Sequence, residues 1–218
     1  MQRPSYLEQH LPYPQPWEFV LDYVFGRVPN LTFVEVGACE PYVASNSAYM
    51  EKELGWTGLC IEPHPIYFKK LSESDRTCTK LNFAANDFDG DVEFVSVEGQ
   101  SSMISGIKEN YPPHHYERMV SETTQNKDTV NFISVPCRKL NTLLEENNMY
   151  KVDYMSIDTE GSELKILKAL DFDKFKIKLL GVEQNIDSDN SVVEFLQTKG
   201  YKYLGKVCSD QFFLNESI

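Results

Sequence analysis

Residues 31–63 read LTFVEVGACEPYVASNSAYMEKELGWTGLCIEP. Two apolar runs, 31–36 and 59–61, each stop at a polar signal: the first at Gly37, the second at Glu62, just before Pro63. Between them, residues 45–54 have helical composition and are closed by Gly55 and Gly58. Strand, glycine turn, helix, and a second strand ending in an acid make half of a nucleotide-binding α/β fold.

The glycine and the acid carry separate tasks. Without a Cβ, Gly37 lets a ligand approach the backbone where the first strand turns into its loop. Glu62, at the carboxyl end of the next strand, is placed to accept hydrogen bonds from two ribose hydroxyls. A dinucleotide fingerprint would be GxGxxG, but here the run is Gly37, Ala38, Cys39, Glu40, Pro41, Tyr42. A pyrophosphate lacks its cradle, and Glu40 would repel it. A cofactor carrying a sulfonium and an ammonium, S-adenosylmethionine, is compatible with acids at those places. The plainer alternative is a turn glycine in a fold that binds nothing, since short motifs recur by chance.

The length of 218 residues suits one α/β domain, and 41% hydrophobic with 12% aromatic content supports a sizeable core. Net charge is −12, from 33 acids against 21 Lys and Arg. That leaves no basic footprint for a phosphate backbone, so nucleic acid is not expected as a partner. Cys39, Cys60, Cys78, Cys137 and Cys208 are dispersed, without CxxC spacing. This predicts a reducing, cytoplasmic setting with neither a disulfide framework nor a zinc site. No apolar run is long enough to span a bilayer, and the first residues lack the apolar core of a secretion signal.

Residues 1–14 read as a Pro-rich arm, followed by a helix with Trp17, Val20, Leu21 and Val24 at helical spacing up to Gly26. The remainder, 31–218, reads as the catalytic domain. A helix is expected over 65–71, a third strand over 77–84, and a strand over 91–97 antiparallel to it. Residues 99–131, with Tyr111-Pro112-Pro113-His114-His115-Tyr116 inside, read as an irregular active-site loop. A strand at 132–136 and a helix at 140–146 follow. Then come a buried strand at 152–157 ending in Asp158-Thr159-Glu160-Gly161 and a helix at 162–170. A strand at 177–182 ends in Glu183, Gln184 and Asn185, a helix covers 192–199, and 201–206 pairs with 208–214 as a hairpin around Gly205.

Open α/β sheets bind ligands at the carboxyl ends of their strands. Those ends are Gly37, Glu62, Asn86, Asp158, Glu160 and Glu183, a set in which converging carboxylates repel unless they hold cations or hydroxyl donors. Methyl transfer from a sulfonium to a hydroxyl accounts for it: an alcohol needs a base within hydrogen-bonding reach, and Glu160 or Asp158 could serve. A divalent metal, magnesium or manganese, held by Asp158 and Glu183 would acidify the alcohol. The structural alternative makes Asp158 and Glu160 a helix cap and first-turn acid, and Glu183 a solvated strand-end acid. Tandem His114 and His115 offer another base but read more simply as solvated loop residues, His64 as a turn residue at the edge of the adenine, and Ser101 and Ser102 as lining the cofactor pocket or a polar loop.

The segments EVGACEPYVASNS, GWTGLCIEPHP, AANDFDG, VPCRKLNTLL and YMSIDTEGSELKIL resemble the FkbM-type methyltransferases over residues 33–185. The resemblance implies a Rossmann-like class I methyltransferase, a mostly parallel, doubly wound sheet with an antiparallel closing hairpin. It implies O-methylation of a hydroxyl on a sugar, glycan or natural product. By position, Glu35 stands for the family's first acid and Glu40 for its second. Gly37, Glu40 and Asn46 lie near the methionine end, Glu62 on the ribose, Asn86 near adenine, and Asp158 and Glu160 in the D-x-E-G motif at the reaction centre. Pro41 departs from the family's usual glycine. Asp158 and Glu183 as metal ligands follow a looser analogy to magnesium-dependent sugar O-methyltransferases. The rival readings are an NAD-dependent oxidoreductase, opposed by the missing glycines, and an inactive methyltransferase-like binding module, suggested by Pro41. RNA methylation is a further rival, opposed by the net charge.

Overall fold

The computed structural model describes residues 18, 20–184 and 189–218. The elements that carry the central sheet are β1 (Thr32–Val36), α1 (Ala48–Leu54), β2 (Thr57–Ile61), α2 (Pro65–Glu73) and β3 (Thr79–Leu81). Next come β4 (Ala84–Asn86), β5 (Gly90–Glu98), β6 (Gly106–Ile107), α3 (Pro113–Asn126), β7 (Thr129–Lys139) and α4 (Leu140–Glu146). The chain closes with β8 (Lys151–Ile157), α5 (Glu163–Ala169), β9 (Lys176–Glu183), α6 (Ser191–Thr198), β10 (Lys202–Val207) and β11 (Asp210–Leu214).

A seven-stranded sheet runs in the order β10-β11-β9-β8-β1-β2-β3. The pairs from β9 to β3 are parallel, β11 opposes β9, and β10 opposes β11, so β11 alone runs against the rest. Helices cover both faces, which is why the central strands are buried along nearly their whole length rather than on alternate residues. One face sets Val34, Val36, Met155 and Leu180 against Leu143, Leu167 and Leu196 of α4, α5 and α6. The other sets Phe33, Tyr154 and Phe212 against Tyr49, Met50 and Leu71 of α1 and α2. Val20, in a π-helical turn at Val20–Phe25, joins that second face; Trp17 and Asn185 lie outside the described residues.

A second sheet, β4-β7-β5-β6, departs from the sequence expectation. The strand expected over 77–84 splits at Asn82, whose Nδ2 donates to the Glu62 and Pro63 carbonyls at 2.8 and 3.3 Å. β4 therefore leaves the central sheet and pairs in parallel with β7. β5 is antiparallel to β7 and β6, not to the strand before it.

Residues 99–131 are not irregular: they hold β6, the 14-residue α3 and the start of β7. Pro113 opens α3 at its first position, where a missing N–H is no loss. The inward positions of α3 are His115, Met119 and Thr123, spaced by four. Two of the three are polar, so a hydropathy reading cannot see the face. The hairpin also differs: its turn lies at Cys208–Ser209, and Gly205 sits within β10, where the register shifts between Tyr203 and Gly205. That is a bulge, one extra residue against the partner strand.

Candidate functional site

A cleft of about 660 Å³, counting its open mouth, lies between the strand ends and the second sheet. Gly37, Glu62, Ser102, Asp158 and Glu160 line it, with Cys39, His64, Tyr67 and Phe94. The fold itself also requires Gly37. Its φ is +84°, and a Cβ there would stand 1.7 Å from the Asp158 carbonyl oxygen. The neighbouring strand's backbone excludes a side chain there.

Glu62 is 5% exposed, and its two carboxylate oxygens accept from the backbone N–H groups of Cys39 (2.6 Å) and His64 (2.7 Å). Burial pushes its pKa up to about 7, although the two N–H groups pull the other way. Each oxygen retains a lone pair for a further donor. His64 is the cap of α2: Nδ1 accepts from Ile66 N–H, and Nε2 meets Ser96 Oγ at 3.0 Å. Burial lowers its pKa, keeping the ring neutral. Ser102 is hydrogen-bonded to the Tyr67 hydroxyl at the wall of the cleft.

Glu35 and Asn46 do not line the cleft; they lie beneath it. The Glu35 carboxylate accepts from Ser45 Oγ (2.9 Å), Ser47 Oγ (2.5 Å) and Asn46 N–H, pinning the loop that leaves Gly37. Asn46 Nδ2 reaches across to Ser156 Oγ at 3.0 Å. Sequence reasoning missed Arg76, a fully enclosed guanidinium that bonds Glu51 (2.7 Å), Ser47 Oγ (2.8 Å) and the Pro41 carbonyl (2.7 Å). Attraction to Arg76 holds the Glu51 carboxyl below its ordinary range against the opposing effect of burial. Glu40, expected at the cofactor, is not among the residues that line the cleft; it pairs with Lys70 at 2.5 Å. Asn86 is fully buried behind the cleft, its carbonyl facing Asn110 Nδ2 at 3.4 Å.

Asp158, Glu160 and Glu183 come together: one oxygen from each lies within 4.8 Å of the others. Burial drives the Asp158 and Glu183 carboxyls well above the ordinary range, reinforced by neighbouring acids, and the two share a hydrogen bond. Neither Asp158 nor Glu160 caps the following helix. Glu163 instead folds back to accept from Thr159 N–H and Oγ1, both at 2.8 Å, and from Gly161 N–H. This clamp holds Glu160 at φ +59°, a left-handed conformation uncommon for a side chain and one that persists only where its surroundings enforce it.

His115, expected in a solvated loop, is 1% exposed on α3, with Nε2 3.3 Å from Glu160 Oε2; His114 is exposed. The four-residue spacing of His115, Met119 and Thr123 after Pro112-Pro113 was the available signal. Burial lowers the His115 pKa. A second hollow, about 840 Å³ with its mouth, lies beyond it, lined by His115, Glu160, Lys165, Glu183, Gln184 and Ser191. Glu160 borders both hollows.

Residues 35–203 match the family described as "Methyltransferase FkbM domain". Among solved structures, the chain is similar to a delta-N METTL16 methyltransferase domain at 13% identity and TM-score 0.48, covering 98% of this chain and 86% of that one. It is similar to the N-terminal domain of human METTL16 at 12% identity and TM-score 0.45, covering 98% and 70%. The same human domain in complex with SAH matches at 12% identity and TM-score 0.44, covering 91% and 65%. No curated protein matches the chain.

Proposed function

We propose, on the premise that this chain belongs to the methyltransferase FkbM family, that it moves the methyl group of S-adenosylmethionine to a hydroxyl of a sugar or glycan. The observation that carries the reading is the position of Glu160 between the two hollows. A donor in the first and an acceptor in the second would meet at that carboxylate.

In the first hollow, the remaining lone pairs of Glu62 suit ribose hydroxyls, and the rings of His64, Tyr67 and Phe94, tilted and edge-on to one another, give an adenine an aromatic border. Gly37 and Ser102 border the same space. Glu35 and Asn46 act from beneath by fixing the loop, and Asn86 from behind. In the reaction the acceptor O–H loses its proton to a carboxylate, the oxygen attacks the methyl carbon, and the C–S bond breaks to release S-adenosylhomocysteine. Glu160 fits the base better than Asp158, whose carboxyl is raised by burial and is hydrogen-bonded to Glu183. A divalent ion at Asp158 and Glu183 would supply Lewis acidity and align neighbouring hydroxyls.

The net charge of −12 supports a neutral acceptor over a nucleic acid. No helix among the described residues is long and apolar enough to cross a membrane. The inactive-module reading rested on Pro41, but its carbonyl is a ligand of Arg76, so the loop is held without a Pro41 N–H.

Calorimetry with S-adenosylhomocysteine tests the donor site: binding should be measurable, and Glu62→Ala should weaken it about tenfold, the value of one charge-assisted hydrogen bond. Labelled S-adenosylmethionine incubated with a sugar panel, with and without chelator, tests the acceptor. Absence of label in every sugar would remove the carbohydrate assignment.

A further inference from the structure

Glu160 and His115 belong to different parts of the fold, and each is held in place by its own packing. The turn that carries Glu160 lies against the approach to α3: a Cβ at Gly161 would stand 2.6 Å from the Asn110 carbonyl oxygen and 3.1 Å from Pro112 Cδ. The same turn meets β6, where a Cβ at Gly106 would lie 3.3 Å from Glu160 Cβ. The His115 ring packs edge-on against Tyr111, with centroids 4.6 Å apart, and the Tyr111 hydroxyl donates to the Ile104 carbonyl. Both residues are therefore anchored, and the distance between their side chains is set by the fold. His115 Nε2 is buried, has no hydrogen-bond partner, and stands 3.3 Å from Glu160 Oε2. A buried polar atom left in that state is costly. Two opposed lone pairs would repel, so the pair is at rest only with one proton between nitrogen and oxygen, whichever of the two carries it. The separation is just beyond a formed hydrogen bond, and catalytic contacts are often long until the reactants are seated.

We propose that His115 is a positioning residue for methyl transfer: its imidazole holds Glu160 Oε2 and leaves the other carboxylate oxygen to the acceptor hydroxyl. The proposal deepens the reading of Glu160 as the base and rests on it. The reaction keeps its balance, with the acceptor proton passing to Glu160 as the C–S bond breaks, and the effect of His115 passes through that carboxylate. A base must be held within a fraction of an ångström of its proton, and a carboxylate beside an open hollow needs a partner to fix its rotation. The neighbouring groups that could do so are committed elsewhere. Glu163 is bound to Thr159 and Gly161, and Arg118 to Glu122 at 2.7 Å. His115 reaches the carboxylate from the second sheet's side of the molecule, so the insert between β5 and β7 contributes to the reaction centre as well as walling the cleft.

The test uses the full chain, methyl-labelled S-adenosylmethionine and the sugar of the panel that takes the label. His115→Leu should lower the rate at saturating acceptor about tenfold to a hundredfold, with the acceptor's KM and the affinity for S-adenosylhomocysteine within about threefold. His115→Gln, whose side-chain amide reaches the place of Nε2, should recover the rate to within about threefold of the unaltered protein. In a Glu160→Gln background, His115→Leu should cost nothing further, because a residue that acts through another is silent once the other is gone. Nuclear magnetic resonance of protein carrying isotope-labelled histidine should show the His115 ring nitrogens shift on Glu160→Gln, a readout that does not depend on a variant at position 115 folding. An unchanged rate in His115→Leu, no recovery in His115→Gln, an additive loss in the double variant, or an unmoved ring signal would overturn the proposal. With label in a sugar, any of these results removes the proposal and leaves the methyl-transfer reading standing; label in no sugar removes the carbohydrate reading, and the proposal with it.

Discussion

Glu51 and Glu160 are both buried carboxylates within reach of the loops that leave the central strands, yet their surroundings are opposite. Glu51 accepts from Arg76, Thr77 N–H and Thr77 Oγ1, and its pKa is lowered. Around Glu160 the neighbours are Asp158 and Glu183, whose carboxyls are driven well above their ordinary range. In the Arg76 region the fold itself supplies Glu51 with its counter-charge. At the rim it gathers acids that repel one another and holds Glu160 in a left-handed conformation. The first arrangement stabilises the fold; the second tolerates instability where a ligand can relieve it.

The sharpest way to break that contrast is to give the Arg76 region the rim's problem. Arg76→Leu would strand Glu51 without its cation, and thermal or urea unfolding should show a loss of about 3–5 kcal/mol. Glu160→Gln does the reverse. Methyl transfer measured in a single turnover should fall about a hundredfold or more, while the melting temperature holds or rises and affinity for S-adenosylhomocysteine stays unchanged. Glu51→Gln, by contrast, should lower the melting temperature.

The two regions should also carry opposite pH slopes. Glu62 and Asp210 have pKa values raised by burial to about 7 and about 6. Between the ordinary carboxylate range and those values the folded chain binds more protons than the unfolded one, so this contribution is present in acid and is lost as pH rises towards 7. Glu51, with a lowered pKa, contributes stability above the ordinary range and loses it as pH falls. Denaturant unfolding at pH 5, 6 and 7.5 should show Glu62→Gln flattening the fall with rising pH by roughly 1–2 kcal/mol. A steeper fall in the variant would reverse the assigned sign. The smallest effect belongs to the solvent-facing Lys70–Glu40 pair: Lys70→Ala should cost under about 0.5 kcal/mol in the same unfolding measurement.

Much of this was legible before any coordinates. The run to Gly37, the acid at Glu62 and the D-T-E-G turn at Asp158 mark strand ends because an apolar run must stop where the chain meets solvent or ligand. The helices α1 and α4 were visible for the complementary reason, apolar residues at helical spacing. α3 was not, because its inward face is His115, Met119 and Thr123, two of which a hydropathy pattern scores as surface. Arg76 was invisible too: a lone arginine between Asp75 and Thr77 reads as exposed until Glu51, 25 positions earlier, is brought beside it.

The amino-acid order by itself determined the alternation of strand and helix, the family and the strand-end acids, since local pattern and composition set these. Only the tertiary structure decided which acids are neutralised and which are left facing one another. It also decided that Gly37 is demanded by the Asp158 carbonyl, and that a histidine distant in sequence reaches Glu160. Charge compensation and close backbone approach depend on distances between residues far apart along the chain, and those distances exist only once the sheet has closed.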